Sequence, residues 1–195
     1  MKAFLLAAGL GSRLRPITQH TPKCLLEVGG RTLLDRWLDG LATTGVEEVL
    51  VNSHHHADLV RAHLAARGCP PQVTLTEEVT LLGSAGTLRA NRDFVANEDM
   101  FLAVNSDNLT DFDLRILVDE HRRCDALATL SVFRAPRPAE CGIPDLRGGL
   151  VVDYVEKPLD PPSDLANAGL YAFNPSVSDL IDAHLPQDIG YDLLP

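Results

Sequence analysis

The sequence predicts a layered α/β domain built on a largely parallel sheet, and three observations carry that expectation. At 195 residues the chain is long enough for one domain with a sizeable core. Short apolar runs alternate with segments of helical period over most of its length, the order in which strands and crossover helices succeed one another in a parallel sheet. Glycines and prolines fall between these segments, where turns are needed.

Residues 2–7 form the first apolar run and read as a buried strand. Residues 32–44 read as a helix, because Leu34, Trp37, Leu38 and Leu41 fall on one face; Thr32 can cap its start and Gly45 can end it. Residues 46–51 are the next strand, 55–67 a helix closed by Gly68, and 73–76 a short strand. A glycine-rich turn opens a helix over 86–95. A strand at 100–104 follows, then a helix over 113–123 with Leu114, Leu117 and Val118 facing inward. After residues 126–133 the rhythm changes: 150–155 and 168–173 read as strands, and 176–184 as a last helix. No repeat or low-complexity linker appears, and the proline-rich piece 158–162 reads as a surface loop, so residues 1–195 are expected to form a single domain.

Apolar residues make up 45% of the chain and charged residues 23%, ordinary values for a soluble globular protein. The net charge of −10 argues against nucleic acid or an anionic membrane as partner, since an acidic surface repels both unless basic residues cluster. Such a cluster occurs only in the first 36 residues, with Lys2, Arg13, Arg15, Lys23, Arg31 and Arg36, so an anionic ligand is expected to meet that region. Cys24, Cys69, Cys124 and Cys141 are far apart with no C-x-x-C pairing, which fits reduced thiols in a cytoplasm rather than a zinc site or a disulfide scaffold. No stretch approaches the length of a membrane-spanning helix. The start superficially resembles a secretion signal, but its apolar run is short, and Gly11, Arg13 and Arg15 stand where a cleavage site of small residues is expected.

The first loop, Gly9-Leu10-Gly11-Ser12-Arg13-Leu14, begins like the dinucleotide fingerprint G-x-G-x-x-G, but Leu14 replaces the third glycine. The second strand ends at Asn52-Ser53, not in the acidic residue that binds ribose. The pattern G-x-x-x-x-G-K-[ST] is absent too. What remains is a strand, a loop with two glycines, two arginines and a more distant lysine. Glycines let backbone N–H groups close around an anion. Arg13 offers a planar fork for two phosphate oxygens, and Lys23 a point charge. A solvated basic loop at a strand end is the plain alternative.

The segments LAAGLGSRLRPIT, TPKCLLEVGG, LLGSAGTL, NSDN, VEKP and NAGLYAF together resemble the sugar nucleotidyltransferases, in order and over essentially the whole chain. These enzymes join a nucleoside triphosphate to a sugar 1-phosphate. The resemblance implies a three-layer α/β/α sandwich with a mixed, mainly parallel Rossmann-like sheet and a Mg²⁺-dependent transfer releasing pyrophosphate. It further implies that Leu6, Ala7, Ala8, Gly9, Gly11, Ser12 and Arg13 cradle the triphosphate, with Arg13 stabilising the leaving pyrophosphate and Lys23 contacting the phosphates. Gly83, Ser84, Gly86 and Thr87 match the glycine-rich turn that lies against base and ribose, where a large side chain at Gly86 should crowd. Asp107, just past the strand at 100–104, matches the Mg²⁺ aspartate; a hard cation prefers carboxylate oxygen, and Ser106 stands where the family commonly has glycine. Glu156 would accept sugar hydroxyls and Lys157 would hold the sugar phosphate, with Asn167 and Gly169 in the second sugar-binding stretch and Gly142 over the sugar. Arg13, Lys23 and Asp107 are thus the implied catalytic set.

Within the family, G-S-A-G-T is closer to the turn of guanylyl-transferring members acting on mannose- or heptose-type sugars, so GTP and a hexose or heptose 1-phosphate are favoured. UTP, as in the muramic acid 1-phosphate enzymes, is the alternative. A non-catalytic nucleotide-sugar-binding homologue is a further one. The family's second metal aspartate lies in a late D-[IV]-G-[TS] segment. Asp188-Ile189-Gly190 mimics it, but its context fits an earlier segment better, which places the D-I-G-T segment beyond Pro195. His54-His55-His56 reads as a polar helix start, because adjacent residues point in different directions and rarely share one ion. A homo-oligomer is left open.

Overall fold

The computed structural model describes residues 1–195. The chain forms β1 (Lys2–Leu6), β2 (Glu27–Val28), β3 (Arg31–Thr32), α1 (Leu33–Thr43), β4 (Glu48–Ser53), α2 (Ala57–Arg67) and β5 (Gln72–Glu77). Then follow α3 (Ser84–Ala90), β6 (Phe101–Asn105), α4 (Leu114–Cys124), β7 (Ala128–Arg134), β8 (Gly142–Arg147), β9 (Leu150–Glu156) and β10 (Leu165–Phe173). Six strands make the main sheet in the order β5-β4-β1-β6-β10-β7. β1, β4, β5 and β6 are parallel, and β10 runs antiparallel to β6 and β7, so the sheet is mixed and mainly parallel.

Side-chain alternation along the strands sorts the core into two layers. Ala3 and Leu5 of β1 pack with Leu34, Leu38 and Leu41 of α1, Val60 of α2 and Leu117 of α4. Phe4, between them, points to the opposite face, onto Ala85 and Leu88 of α3 together with Val177, Ile181 and Ile189. Helices therefore cover both faces, as the α/β/α expectation requires. The strands of the parallel part all end at one edge, and the chain order reverses between β1 and β6, where an open sheet leaves a crevice for ligands.

Four local differences from the sequence reading have plain causes. The strands β2 and β3 have two residues each, joined by Gly29-Gly30, too short for any periodicity to show. β8 contains Gly142 and Pro144, which mask it as a strand; it pairs only with β9. The helix expected over 86–95 starts at Ser84 and stops at Ala90, and Arg92–Phe94 is a separate 3₁₀ turn. The last helix is a 3₁₀ segment, Pro175–Leu180, capped by Asn174; Ser176, Val177, Ser178 and Asp179 are poor helix formers.

One polar cluster joins α1 to α2. Thr32 caps α1 by accepting from Asp35 N at 3.0 Å, and its hydroxyl donates to Asp35 Oδ2 at 2.8 Å. Arg67 donates to Asp35 Oδ1 at 2.7 Å, and His63 Nε2 lies 3.0 Å from Oδ2. Burial of Asp35 works to raise its pKa, but the hydrogen bonds from Thr32, Arg67 and His63 outweigh it and hold the carboxyl below its usual value of 3.8. A carboxyl depressed in the folded state stabilises the fold fully above its unfolded pKa, and this stabilisation is lost as pH falls through the folded one. Asp35→Asn is therefore expected to lower unfolding free energy by about 1–2 kcal/mol at neutral pH, with the gap to wild type closing at acid pH. Urea unfolding along a pH series checks this, and a constant gap down to the acid limit contradicts it.

Candidate functional site

Two adjoining cavities lie along the carboxyl edge of the parallel strands. The first, about 340 Å³, is walled by Leu6, Ala7, Ala8 and Gly9 after β1, by Asn52 at the end of β4, and by Asn105, Ser106 and Asp107 after β6. Lys23, Glu78, Leu81, Gly83, Ser84 and Asp188 complete it. The second, about 330 Å³, holds Arg13, Gly142, Glu156, Lys157, Asn167, Gly169 and Tyr171 among its lining. Ser84, Asn105 and Asp188 line both.

The loop after β1 starts from a fixed point. The N–H of Ala7 donates to Asn52 Oδ1 at 2.6 Å. From Ala8 to Arg13 no backbone N–H is donated to another group of the chain. Gly11, at φ +61°, turns this stretch back so that its carbonyl accepts from the buried Thr18 hydroxyl at 2.8 Å. A run of free amides at the carboxyl edge of a sheet is what an anion needs. Positive charge stands opposite: Lys23 Nζ lies 2.5 Å from Asp107 Oδ2. Lys23 is held there by its neighbour Cys24, which is 1% exposed and packed into the core; burial pushes that thiol up to about 11.

Below the first cavity lies a buried polar network. Asn52 Nδ2 donates to Glu78 Oε1 at 2.8 Å and to Thr87 Oγ1 at 3.0 Å; Thr87 also donates to Glu78, whose other oxygen accepts from Leu82 N at 3.1 Å. The glycine turn is stitched to the chain end: Gln187 N donates to Leu82 O at 2.8 Å and Gly86 N to Gln187 O at 3.1 Å. Gly83 has φ +78°, and a Cβ there would run into the Gln187 backbone, so the position requires glycine for both reasons.

In the second cavity, Tyr154 is 2% exposed and its hydroxyl donates to Glu156 Oε2 at 3.0 Å while accepting from Asn167 Nδ2 at 3.0 Å. Burial, chiefly, pushes the Tyr154 phenol far up, so it stays a neutral donor. Asn167 Nδ2 also reaches the Tyr171 hydroxyl at 2.8 Å, and Asn167 Oδ1 accepts from Gly169 N at 2.9 Å. Lys157 Nζ donates to the Tyr191 hydroxyl at 3.1 Å and lies 3.5 Å from Glu156 Oε1. That hydrogen bond to Tyr191 raises the ammonium's pKa, with Glu156 adding to it against burial.

The structure separates some expected residues from the cavities. Thr87 is fully buried and belongs to the network beneath the first cavity, with no face toward a ligand. Gly86 lies against Leu82, Leu185 and Gln187, so a side chain there would crowd these residues. Gly11 packs on Thr18, Ser12 is exposed and outside both linings, and Arg13 lines the second cavity, not the first. Gly142 lies against Tyr154 and Glu156, which leave no room for a Cβ. Sequence reasoning missed Asn52, Glu78, Leu81, Asn105 and Asp188 in the first cavity, and Tyr154 and Tyr171 beside the second. Asn105 opens the quoted NSDN segment, Leu81 the segment LLGSAGTL and Asp188 the D-I-G mimic, and Tyr171 lies in NAGLYAF, so a signal was present for these four; Asn52, Glu78 and Tyr154 lie outside the quoted segments. Of the three adjacent histidines, His54 donates to the Glu78 carbonyl at 2.7 Å and His56 to the Gln19 carbonyl at 2.9 Å, so they brace loops. No group of three or more His, Cys, Asp or Glu is arranged to hold a metal by itself.

A mixed α/β/α sheet with free amides after its first strand and a lysine–aspartate pair opposite gives the crevice of an α/β protein suited to an anionic ligand. The family model described as nucleotidyl transferase matches residues 2–194, and the chain belongs to that family. It is similar to the mannose-1-phosphate guanyltransferase of Yarrowia lipolytica, 31% identical over 200 residues, covering 100% of this chain and 55% of that one. It is also similar to the mannose-1-phosphate guanylyltransferase catalytic subunit beta of Dictyostelium discoideum, 29% identical, covering 100% of this chain and 55% of that one. The chain thus spans about half the length of these curated relatives. Among solved structures, a Bacillus anthracis protein assigned as a glucose-1-phosphate thymidylyltransferase, in complex with sucrose, superposes with a TM-score of 0.85 at 26% identity, covering 95% of this chain and 76% of that one. HddC from Yersinia pseudotuberculosis, complexed with GMP-PN, shares the fold with a TM-score of 0.82 at 21% identity, covering 100% of this chain and 85% of that one. No helix of the chain is long and apolar enough to cross a membrane.

The position of Gly142 yields a prediction. Gly142→Ala places a methyl against the Tyr154 hydroxyl and should cost about 1–3 kcal/mol of stability. In a Tyr154→Phe background the same substitution should cost less, because the opposing oxygen is gone; thermal unfolding of the four proteins checks this. Equal costs in both backgrounds contradict the packing described.

Proposed function

We propose that this chain carries the site of a sugar-1-phosphate nucleotidyltransferase that moves a guanylyl group from GTP to mannose 1-phosphate or a related hexose or heptose 1-phosphate. The carrying observation is the pairing of the two cavities in a chain of the nucleotidyl transferase family: one presents free amides and Lys23, and the other presents Lys157 beside Glu156. The mannose-1-phosphate guanylyltransferases among its relatives favour GTP over UTP.

In the transfer, an oxygen of the sugar phosphate forms a bond to the α-phosphorus as the bond from that phosphorus to the β-phosphate oxygen breaks. Pyrophosphate leaves with the electron pair, and no serine or cysteine nucleophile is required. The protein's part is positioning and charge neutralisation. The free amides of Ala8 and Gly9, with Lys23, hold the triphosphate, and the glycine turn at Gly83 and Ser84 receives the nucleoside. Arg13, on the second cavity's lining, meets phosphate from the sugar side. Glu156, aimed by Tyr154, accepts sugar hydroxyls, and Lys157 holds the sugar phosphate.

Asp107 fits a Mg²⁺ ion: its Oδ2 faces Lys23, while Oδ1 has no partner in the chain. A single hard carboxylate suits Mg²⁺, which typically takes one or two carboxylates and completes its shell with phosphates and water. When bound, the ion supplies neutralisation of phosphate charge. Cytoplasmic nucleotide-sugar synthesis is the setting this activity suits.

Pyrophosphate release with four nucleoside triphosphates against several sugar 1-phosphates tests the proposal; GTP with mannose 1-phosphate is expected to be the best pair, and no turnover with any pair overturns it. Lys157→Ala is expected to raise KM for the sugar phosphate by about 10–100-fold, the cost of a lost charged hydrogen bond, with KM for GTP little changed. An equal rise in both would contradict the division between the cavities.

A further inference from the structure

The two cavities meet at three side chains, Ser84, Asn105 and Asp188, the residues that line both. On the reading proposed above, which this inference rests on, one cavity holds the nucleotide and the other the sugar phosphate. The attacking oxygen and the α-phosphorus must then meet where the cavities join.

Two of the three junction side chains are already engaged. Asp188 accepts from the Ser84 hydroxyl at 2.9 Å through Oδ2 and from Gly190 N at 2.9 Å through Oδ1. The Ser84 hydroxyl, having donated, also accepts from Ile189 N at 2.7 Å. These bonds make a closed clasp between the glycine turn and the turn at Ile189–Leu193. Asn105 differs: its side-chain amide makes no hydrogen bond within the chain and is only partly buried. It stands on the last residue of β6, in register with Leu6 of β1, and the preceding residue, Val104, pairs with Leu170 of β10, so the sheet fixes its Cα. Gly169 lies against this amide, and a Cβ there would run into Nδ2. The glycine expected to touch sugar thus makes the room that the Asn105 side chain occupies.

Chemistry decides what such a group does. Both reacting partners are anionic, and negative charge gathers on the α-phosphoryl oxygens as the new bond forms. A neutral amide with two free N–H donors can bridge a non-bridging oxygen of the α-phosphoryl group and one of the sugar phosphate. It needs no counter-charge and forms no covalent bond. We infer that Asn105 is a further catalytic residue, an amide donor at the junction that aligns the sugar phosphate with the α-phosphorus and stabilises the charge developing there. Bond making and breaking remain as written above, with the electron pair leaving on pyrophosphate and no proton moved by Asn105.

The test compares wild type with Asn105→Ala, which removes the donor, and Asn105→Asp, which keeps the volume and adds a negative charge. With GTP and mannose 1-phosphate, kcat is expected to fall by about 10–100-fold in Asn105→Ala and further in Asn105→Asp, while each KM stays within about threefold. A role confined to holding the fold would not order the two variants this way, and Asn105→Asp, being isosteric, separates loss of function from failure to fold. Binding of GDP-mannose, which spans the junction, is measured by calorimetry alongside and is expected to weaken in Asn105→Asp. Unchanged kcat and unchanged GDP-mannose affinity in both variants, with an active wild type, overturn the inference alone. A rise in one KM with kcat unchanged also overturns it. A wild-type chain that neither turns over nor binds GDP-mannose overturns the inference together with the reading beneath it.

Discussion

The hydrogen bond from Ala7 N to Asn52 Oδ1, 2.6 Å long, is the contact on which the site's geometry depends. β1 is one of the two central strands, and its pairing with both neighbours ends at Leu6, so the chain there must either find other acceptors or leave its amides free. Asn52 takes the first amide and so sets the direction in which the next six run unpaired. The same side chain reaches down to Glu78 and Thr87, which fixes the glycine turn relative to that loop. A buried network of this kind is all or nothing: a donor or acceptor stranded inside it costs about 1–3 kcal/mol. One asparagine, 4% exposed, thereby couples the two walls of the first cavity.

The second cavity is organised the same way, by buried neutral groups aiming charged ones. Tyr154 orients Glu156, Asn167 holds Tyr154 and Tyr171, and Gly142 is the space that lets the tyrosine hydroxyl stand where it does. The clasp between Ser84 and residues 188–190 then makes one wall common to both cavities. A reaction in which the protein contributes position and charge, with no covalent intermediate, suits such a framework, because catalytic groups are useful only when held in place.

Much of this was legible in the sequence because its signals are local. Alternation and helical period located most elements of the main sheet and three of the four helices closely, and glycine-rich or charged motifs marked the loops that wall the cavities. The layered arrangement itself rested on order, since strands separated by helices must pair in parallel. What escaped is non-local. Asn52 and Glu78 carry no motif; their role exists only because β4 and the segment after β5 are brought together by the sheet. Thr87 and Gly86 sit inside a recognisable motif, yet packing against Glu78 and Gln187, contacts distant in sequence, turns them inward. The strand β8 was hidden by its own glycine and proline, and that glycine is explained by Tyr154 and Glu156 across the hairpin.

The central claim is that one chain divides its two anionic ligands between two adjoining cavities. Backbone amide shifts in a nitrogen-15 spectrum, followed during titration, test it most directly. GTP alone is expected to move the amides of Ala8, Gly9, Gly83 and Ser84. Mannose 1-phosphate alone is expected to move those of Glu156, Lys157 and Gly169, with Asn105 responding to both. Overlapping responses at Ala8 and Gly9 and at Glu156–Lys157 for either ligand alone would contradict the account.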